Sequence, residues 1–142
     1  MFRKLIAPAL LIPLVVAVAQ TARCAQQPAV DQAIKTAESW LKLVEEGSYR
    51  ASWDQASTLF RNAVAEEQWD RQVGAVRQPL GAMRSRKLKA AKYASSLPGA
   101  PDGQYVVIQC DTSFENKKSA VETVTPMMDK DGQWHVSGYY IK

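Results

Sequence analysis

The chain has 142 residues, two cysteines, one histidine and a formal charge of +4 from 18 basic and 14 acidic side chains. That length suits one domain with a single core. The small charge gives no support to nucleic-acid binding, and one histidine with two cysteines does not furnish a metal site, so neither a metal nor another cofactor is expected.

Arg3 and Lys4 are followed by an apolar run from Ile6 to Ala19 that closes on Ala17-Val18-Ala19. Charge, apolar core and a small-x-small triplet are the layout of a secretory signal peptide. The expected boundaries are 1–19 for the signal, 20–29 for a tether and 30–142 for the domain. A second small-x-small triplet, Ala22-Arg23-Cys24, would move the cut as late as 25. The competing readings are an uncleaved anchor and a lipid anchor at Cys24. The run is shorter than the ~20 residues a span requires and holds Pro8 and Pro13, and Arg23 sits where lipidation wants a small residue. The processed chain is therefore expected in the periplasm or outside the cell, and not as an integral membrane protein. Removing Arg3 and Lys4 lowers the charge to +2.

Val30, Ala33, Ile34, Ala37, Trp40, Leu41 and Val44 fall on one face of a 3.6-residue period and predict a first helix, with Asp31 in its first turn and Gly47 as its stop. Tyr49, Trp53, Ala56, Leu59, Phe60 and Val64 predict a second, capped by Ser48. A third starts near Ala65, shows Trp69, Val73, Val76 and Leu80 on its face, and ends around Pro79. The rest reads as strands. Met83 to Ala94 is basic, with Arg84, Arg86, Lys87, Lys89 and Lys92, and suits a solvated sheet edge. Gln104 to Phe114 alternates apolar and polar residues. Ala120 to Met128 carries Pro126, which marks an edge or bulge. Asp131-Gly132 signals a two-residue hairpin turn before Gln133 to Ile141. These elements predict an α+β domain, three helices on a curved four-stranded antiparallel meander.

Several runs in this order are recognisable: Trp40-Leu41, Gly47-Ser48-Tyr49, Ser52-Trp53, Arg77-Gln78-Pro79-Leu80-Gly81, Leu97-Pro98-Gly99, Asp102-Gly103-Gln104-Tyr105, and the ending Asp131-Gly132-Gln133-Trp134 with Val136-Ser137-Gly138-Tyr139-Tyr140-Ile141. Together they resemble the secreted bacterial family called domain of unknown function 4019, over nearly all of the mature chain. The resemblance implies export and carries no catalytic residues across. His135 departs from the Arg expected there. Helices followed by a sheet also resemble the nuclear transport factor 2-like, or cystatin-like, α+β roll.

Cys110 reads as a buried small hydrophobe, and Cys24 near a terminus makes a poor disulfide partner for it. His135 alternates with Trp134 and Val136, which predicts an outward, inert imidazole. Arg77, Arg86, Asp111 and Glu122 are the charged residues nearest inward positions. They predict either a buried ion-pair cluster or a site in which the arginines hold an anionic or carbonyl-bearing ligand and a carboxylate acts as base. No Gly-rich phosphate loop or nucleophile elbow is present. The leading expectation is a small exported binding or interaction domain. Behind it stand a pocket enzyme of isomerase or dehydratase type and a structural accessory of the cell envelope. The partners left open are a small molecule, an envelope protein, or a second copy through the sheet face.

Overall fold

The computed structural model describes residues 15–142. The charged start of the expected signal and most of its apolar run lie outside the described residues. Helix α1 covers Val15–Glu45, α2 Tyr49–Asp54, α3 Thr58–Ala63 and α4 Glu66–Leu80. Strands β1 (Met83–Ala94), β2 (Tyr105–Phe114), β3 (Lys117–Met128) and β4 (Trp134–Ile141) form one antiparallel sheet in the order β1-β2-β3-β4. The α+β meander is as expected, with corrections. No described helix is long and apolar enough to cross a membrane.

Residues 20–29, expected as a tether, are helical and continue α1. This stretch is rich in good helix formers (Ala, Arg, Gln). Gln27 Nε2 donates to Asp31 Oδ1 at 2.8 Å, so Asp31 lies inside the helix and not at its start. Pro28 is accommodated within the helix. The packed part begins at Val30, where Val30, Ala33, Ala37, Trp40, Leu41 and Val44 are buried on the predicted face.

The second predicted helix is two helices, giving four in all. Ser57 breaks it. Its Oγ accepts from Phe60 N at 3.1 Å and caps α3, while its own N–H donates to Val136 O on β4 at 2.9 Å. A side-chain cap here satisfies donors that a continuous helix would have used internally. Ser48, expected as the α2 cap, makes no side-chain cap bond.

Ser52 is fully buried and clasps the helices together. Its carbonyl accepts from Trp40 Nε1 at 2.7 Å, and its Oγ accepts from Trp69 Nε1 at 2.9 Å while donating to Tyr49 O at 2.6 Å. Trp69 stacks edge-on against Phe60 at 5.1 Å between centroids and lies 5.8 Å from Trp40. The expected core residues Trp40, Phe60, Trp69, Val106, Ile108 and Trp134 are buried; Trp53 is only half-buried, its indole N–H bound to Val64 O at 2.7 Å. Val76, placed on the core face of α4 by its spacing, is instead 49% exposed.

In the sheet, β1 is an edge strand, as its basic pattern predicts. The last hairpin differs from the two-residue turn expected. Gly132 N donates to Asp129 O at 3.0 Å and Asp129 N to Gln133 O at 2.9 Å, with Gly132 at φ +76°. That is a three-residue loop, a turn followed by a left-handed glycine. Between Thr125 and Pro126 the β3–β4 register shifts by one residue, leaving Ser137 as the bulged residue, and its Oγ donates to Thr125 O at 2.8 Å.

Candidate functional site

Strand parity sets which charged side chains meet. On β2, Cys110, Thr112 and Phe114 point to the helices and are buried, so Asp111 points out. Asp111 is exposed and faces Lys89 at 3.4 Å. It is not part of any internal site, which corrects its place in the predicted group. Arg77, Arg86 and Glu122 do converge.

Glu122 on β3 is fully buried beneath the helices. Its Oε1 accepts from Arg86 Nε at 2.8 Å and Thr112 Oγ1 at 2.7 Å, with Arg86 Nη2 also 2.8 Å away. Its Oε2 accepts from the Tyr139 hydroxyl at 2.6 Å, and Arg77 Nη1 lies 3.8 Å off. Arg86 reaches the other way to pair with Glu45 at the end of α1. Arg77 is 6% exposed and stacks its guanidinium 4.5 Å above the centre of the Phe114 ring. Two cations and two carboxylates are thus balanced in one cluster.

The electrostatics follow from these contacts. Burial works against ionising Glu122, but the hydrogen bonds from Arg86 and Tyr139, the Arg86 charge and the Thr112 hydroxyl outweigh it, so the carboxyl is held below its ordinary range. Arg86 is likewise opposed by burial and held charged by Glu122 and Glu45. Burial and the neighbouring Glu122 push the Tyr139 phenol strongly up, so it stays a donor. The Cys110 thiol is pushed up, chiefly by burial.

Three members of this cluster, Glu45, Thr112 and Tyr139, were not among the predicted site residues. Two were legible. Glu45 stands one turn beyond Leu41 on the apolar side of α1, and Thr112 shares parity with Cys110. Tyr139 was hidden by the bulge at Ser137, which shifts the parity of β4.

His135 is not free in solvent. Its Nε2 lies 2.7 Å from Asp131 Oδ2 and its Nδ1 3.0 Å from Gln55 O. Partial burial disfavours its charged form, yet the bonds to Asp131 and Gln55 prevail and raise its pKa above 6.5. The side chain ties the α2–α3 junction to the last hairpin. Among the described residues no group of three or more His, Cys, Asp or Glu is placed to hold a metal ion, and both cysteines are unpaired, Cys110 buried and Cys24 exposed.

Beside the charged cluster, α1 and β1 diverge to leave an open cleft of about 290 Å³. Leu41, Leu88, Ile108 and Cys110 line its apolar part, Glu38 and Lys42 its rim, and Arg86 and Glu45 its inner end. Leu88 is 54% exposed there. A family model described as "Protein of unknown function (DUF4019)" matches residues 36–139. No curated protein matches the chain.

Proposed function

We propose that this chain, which belongs to the DUF4019 family, is a small exported binding domain of the cell envelope, and that it takes its ligand on the open α1–β1 cleft and not at the buried charged cluster. The observation that carries this reading is the full burial of Glu122 among bonded partners. A general base needs a pKa near the working pH and a free lone pair aimed at substrate. Glu122 has neither, since its carboxyl is held low, Arg86, Thr112 and Tyr139 bond its oxygens, and the residue is fully buried and lines neither the cleft nor the groove. This supports binding over the isomerase or dehydratase reading.

The cleft suits recognition. Its walls are apolar, its rim carries one cation and one carboxylate, and Leu88 offers exposed apolar surface beside it. Export is supported by the Arg3-Lys4 start, the apolar run and the Ala17-Val18-Ala19 triplet.

Native mass spectrometry of the protein isolated from the envelope fraction tests both halves. The expected result is a polypeptide beginning at Gln20 that carries additional bound mass, with the Leu88→Asp variant folded but without that mass. A full-length species held in the inner membrane would defeat the export reading. Bound mass retained by Leu88→Asp would defeat the cleft.

A further inference from the structure

The two edges of the sheet are guarded unequally. β1 carries Arg84, Arg86, Lys87, Lys89 and Lys92 and is interrupted by a register shift between Leu88 and Ala90. Clustered cations and a bulge both discourage a further strand from adding there. β4, the opposite edge, contains no Lys, Arg, Asp or Glu.

Half of the β4 edge is covered within the chain, because Ser57 N donates to Val136 O. The other half is open. Lys142 and Val121 exchange two hydrogen bonds of 3.0 Å, and Tyr140 stands opposite Thr123 two residues further on. Antiparallel alternation then turns the N–H and C=O of Tyr139 and Ile141 away from β3. Among the described residues no turn, loop or side-chain group bonds these four atoms. Beside this stretch α4 and β4 enclose an apolar groove of about 450 Å³, lined by Trp69, Val73, Val76, Tyr139, Tyr140 and Ile141. Val76 and Tyr140 are 49% and 51% exposed, two of the three large apolar side chains so exposed among the described residues.

We propose that the open half of β4 is a self-association edge, on which a second copy of this chain lays its own β4 antiparallel about a two-fold axis through Tyr140. In that register Tyr139 stands opposite Ile141 of the second copy and Ile141 opposite its Tyr139. Both are outward-pointing pairs, so four backbone hydrogen bonds form and every open donor and acceptor is used. Tyr140 meets its counterpart at a Cα separation of about 4.5 Å on the face away from the helices, an aromatic cross-strand pair. The incoming Ile141 lies on the helix side, along the groove beneath Val76. The open stretch is complementary to itself, because the two-fold register uses all four of its open groups, and this favours a second copy as the occupant. The paired stretch from Tyr139 to Ile141 carries no ionic side chain and meets itself with no like-charge penalty, whereas β1 set against β1 would bring two basic rows together. This edge is separate from the α1–β1 cleft, so the proposal stands or falls independently of the binding reading.

The test is a charge pair at the two-fold axis. Mass by light scattering, followed against concentration, is expected to give twice the protomer mass for the protein as isolated. Tyr140→Lys and Tyr140→Glu, each at an exposed position and checked for unchanged thermal unfolding, should each be monomeric, and an equimolar mixture of the two should restore the doubled mass. Protein that remains monomeric up to about 1 mM, or a dimer indifferent to either charge, overturns the proposal. Amide exchange supplies a readout free of substitution. The amides of Tyr139 and Ile141 should exchange more slowly in concentrated than in dilute protein, and equal rates would overturn the pairing.

Discussion

Replacing Glu122 with Gln removes one charge and changes almost nothing in shape. Gln keeps a carbonyl oxygen as acceptor on one side, but its amide presents hydrogens to whichever of the Tyr139 hydroxyl and the arginines it faces. Arg77, 6% exposed, and Arg86, whose side chain is 15% exposed, are then left with Glu45 alone for charge balance. Removing one partner of a buried pair costs about 3–5 kcal/mol. Because Glu45 remains paired to Arg86, the lower figure applies, about 3 kcal/mol. At about 4 °C per kcal/mol for a domain of this size, the midpoint of thermal unfolding should fall by about 12 °C. The pH dependence gives a second, sharper signature. The folded carboxyl titrates below the unfolded value of 4.5, so its stabilisation is fully present above that value and is lost as pH falls through the folded pKa. Urea unfolding between pH 7 and pH 2 should therefore show an acid limb in the parent protein that is shallower in Glu122→Gln. A variant as stable as the parent at pH 7, with an unchanged acid limb, would refute the placement of an ionised Glu122 at the centre of the fold.

Two further outcomes are expected. Trp69→Ala removes a buried indole, its edge-on contact with Phe60 and its bond to Ser52 Oγ, and should cost about 3–5 kcal/mol, read as a lower urea midpoint. For His135 the folded pKa is raised, so its stabilisation is present below the unfolded value of 6.5 and lost as pH rises through the folded pKa. NMR titration of the imidazole should place its midpoint above 6.5, and Asp131→Asn should bring it down; a midpoint unmoved by that change would show that the Asp131 contact does not hold in solution.

Much of the architecture was readable because burial imposes a period. The α1 face from Val30 to Val44 and the alternation of Ile108, Cys110 and Phe114 against Gln109, Asp111 and Ser113 are each dictated by a single buried side. The misreadings arise where a local bond overrides the period. Ala56, Leu59 and Phe60 keep helical spacing across Ser57, so spacing alone shows one helix where the Ser57 cap and its bond to Val136 make two. Val76 satisfies the α4 period yet lies beyond the reach of the sheet, beside the open edge. Asp111 was grouped with inward charges against its own strand parity. The Asp131-Gly132 pair identified the hairpin but not its length, since a left-handed glycine serves a three-residue loop as well as a two-residue one.

Why a small domain should gather four charges, two of them buried, is answered by what they join. Glu122 lies on β3, and its partners come from β1 through Arg86, β2 through Thr112, β4 through Tyr139 and α4 through Arg77, with α1 added by the Arg86–Glu45 pair. One carboxylate thus touches every strand and, directly or through Arg86, both long helices. Apolar packing is tolerant of small rotations between layers, because contacts between alkyl groups have no direction. Hydrogen bonds of 2.6–2.8 Å to a single carboxylate are not tolerant. Desolvating ions offsets most of their attraction, so such a centre adds little net stability compared with a well-packed apolar substitute. What it adds is direction, since it ties Arg77 on α4 and, through Arg86, Glu45 on α1 to fixed points on the sheet. Arg86 and Glu45 line the cleft between α1 and β1, and Tyr139 lines the groove between α4 and β4, so members of the cluster stand in the walls of both. The same cluster that joins the layers therefore forms part of the two surfaces proposed for ligand binding and self-association.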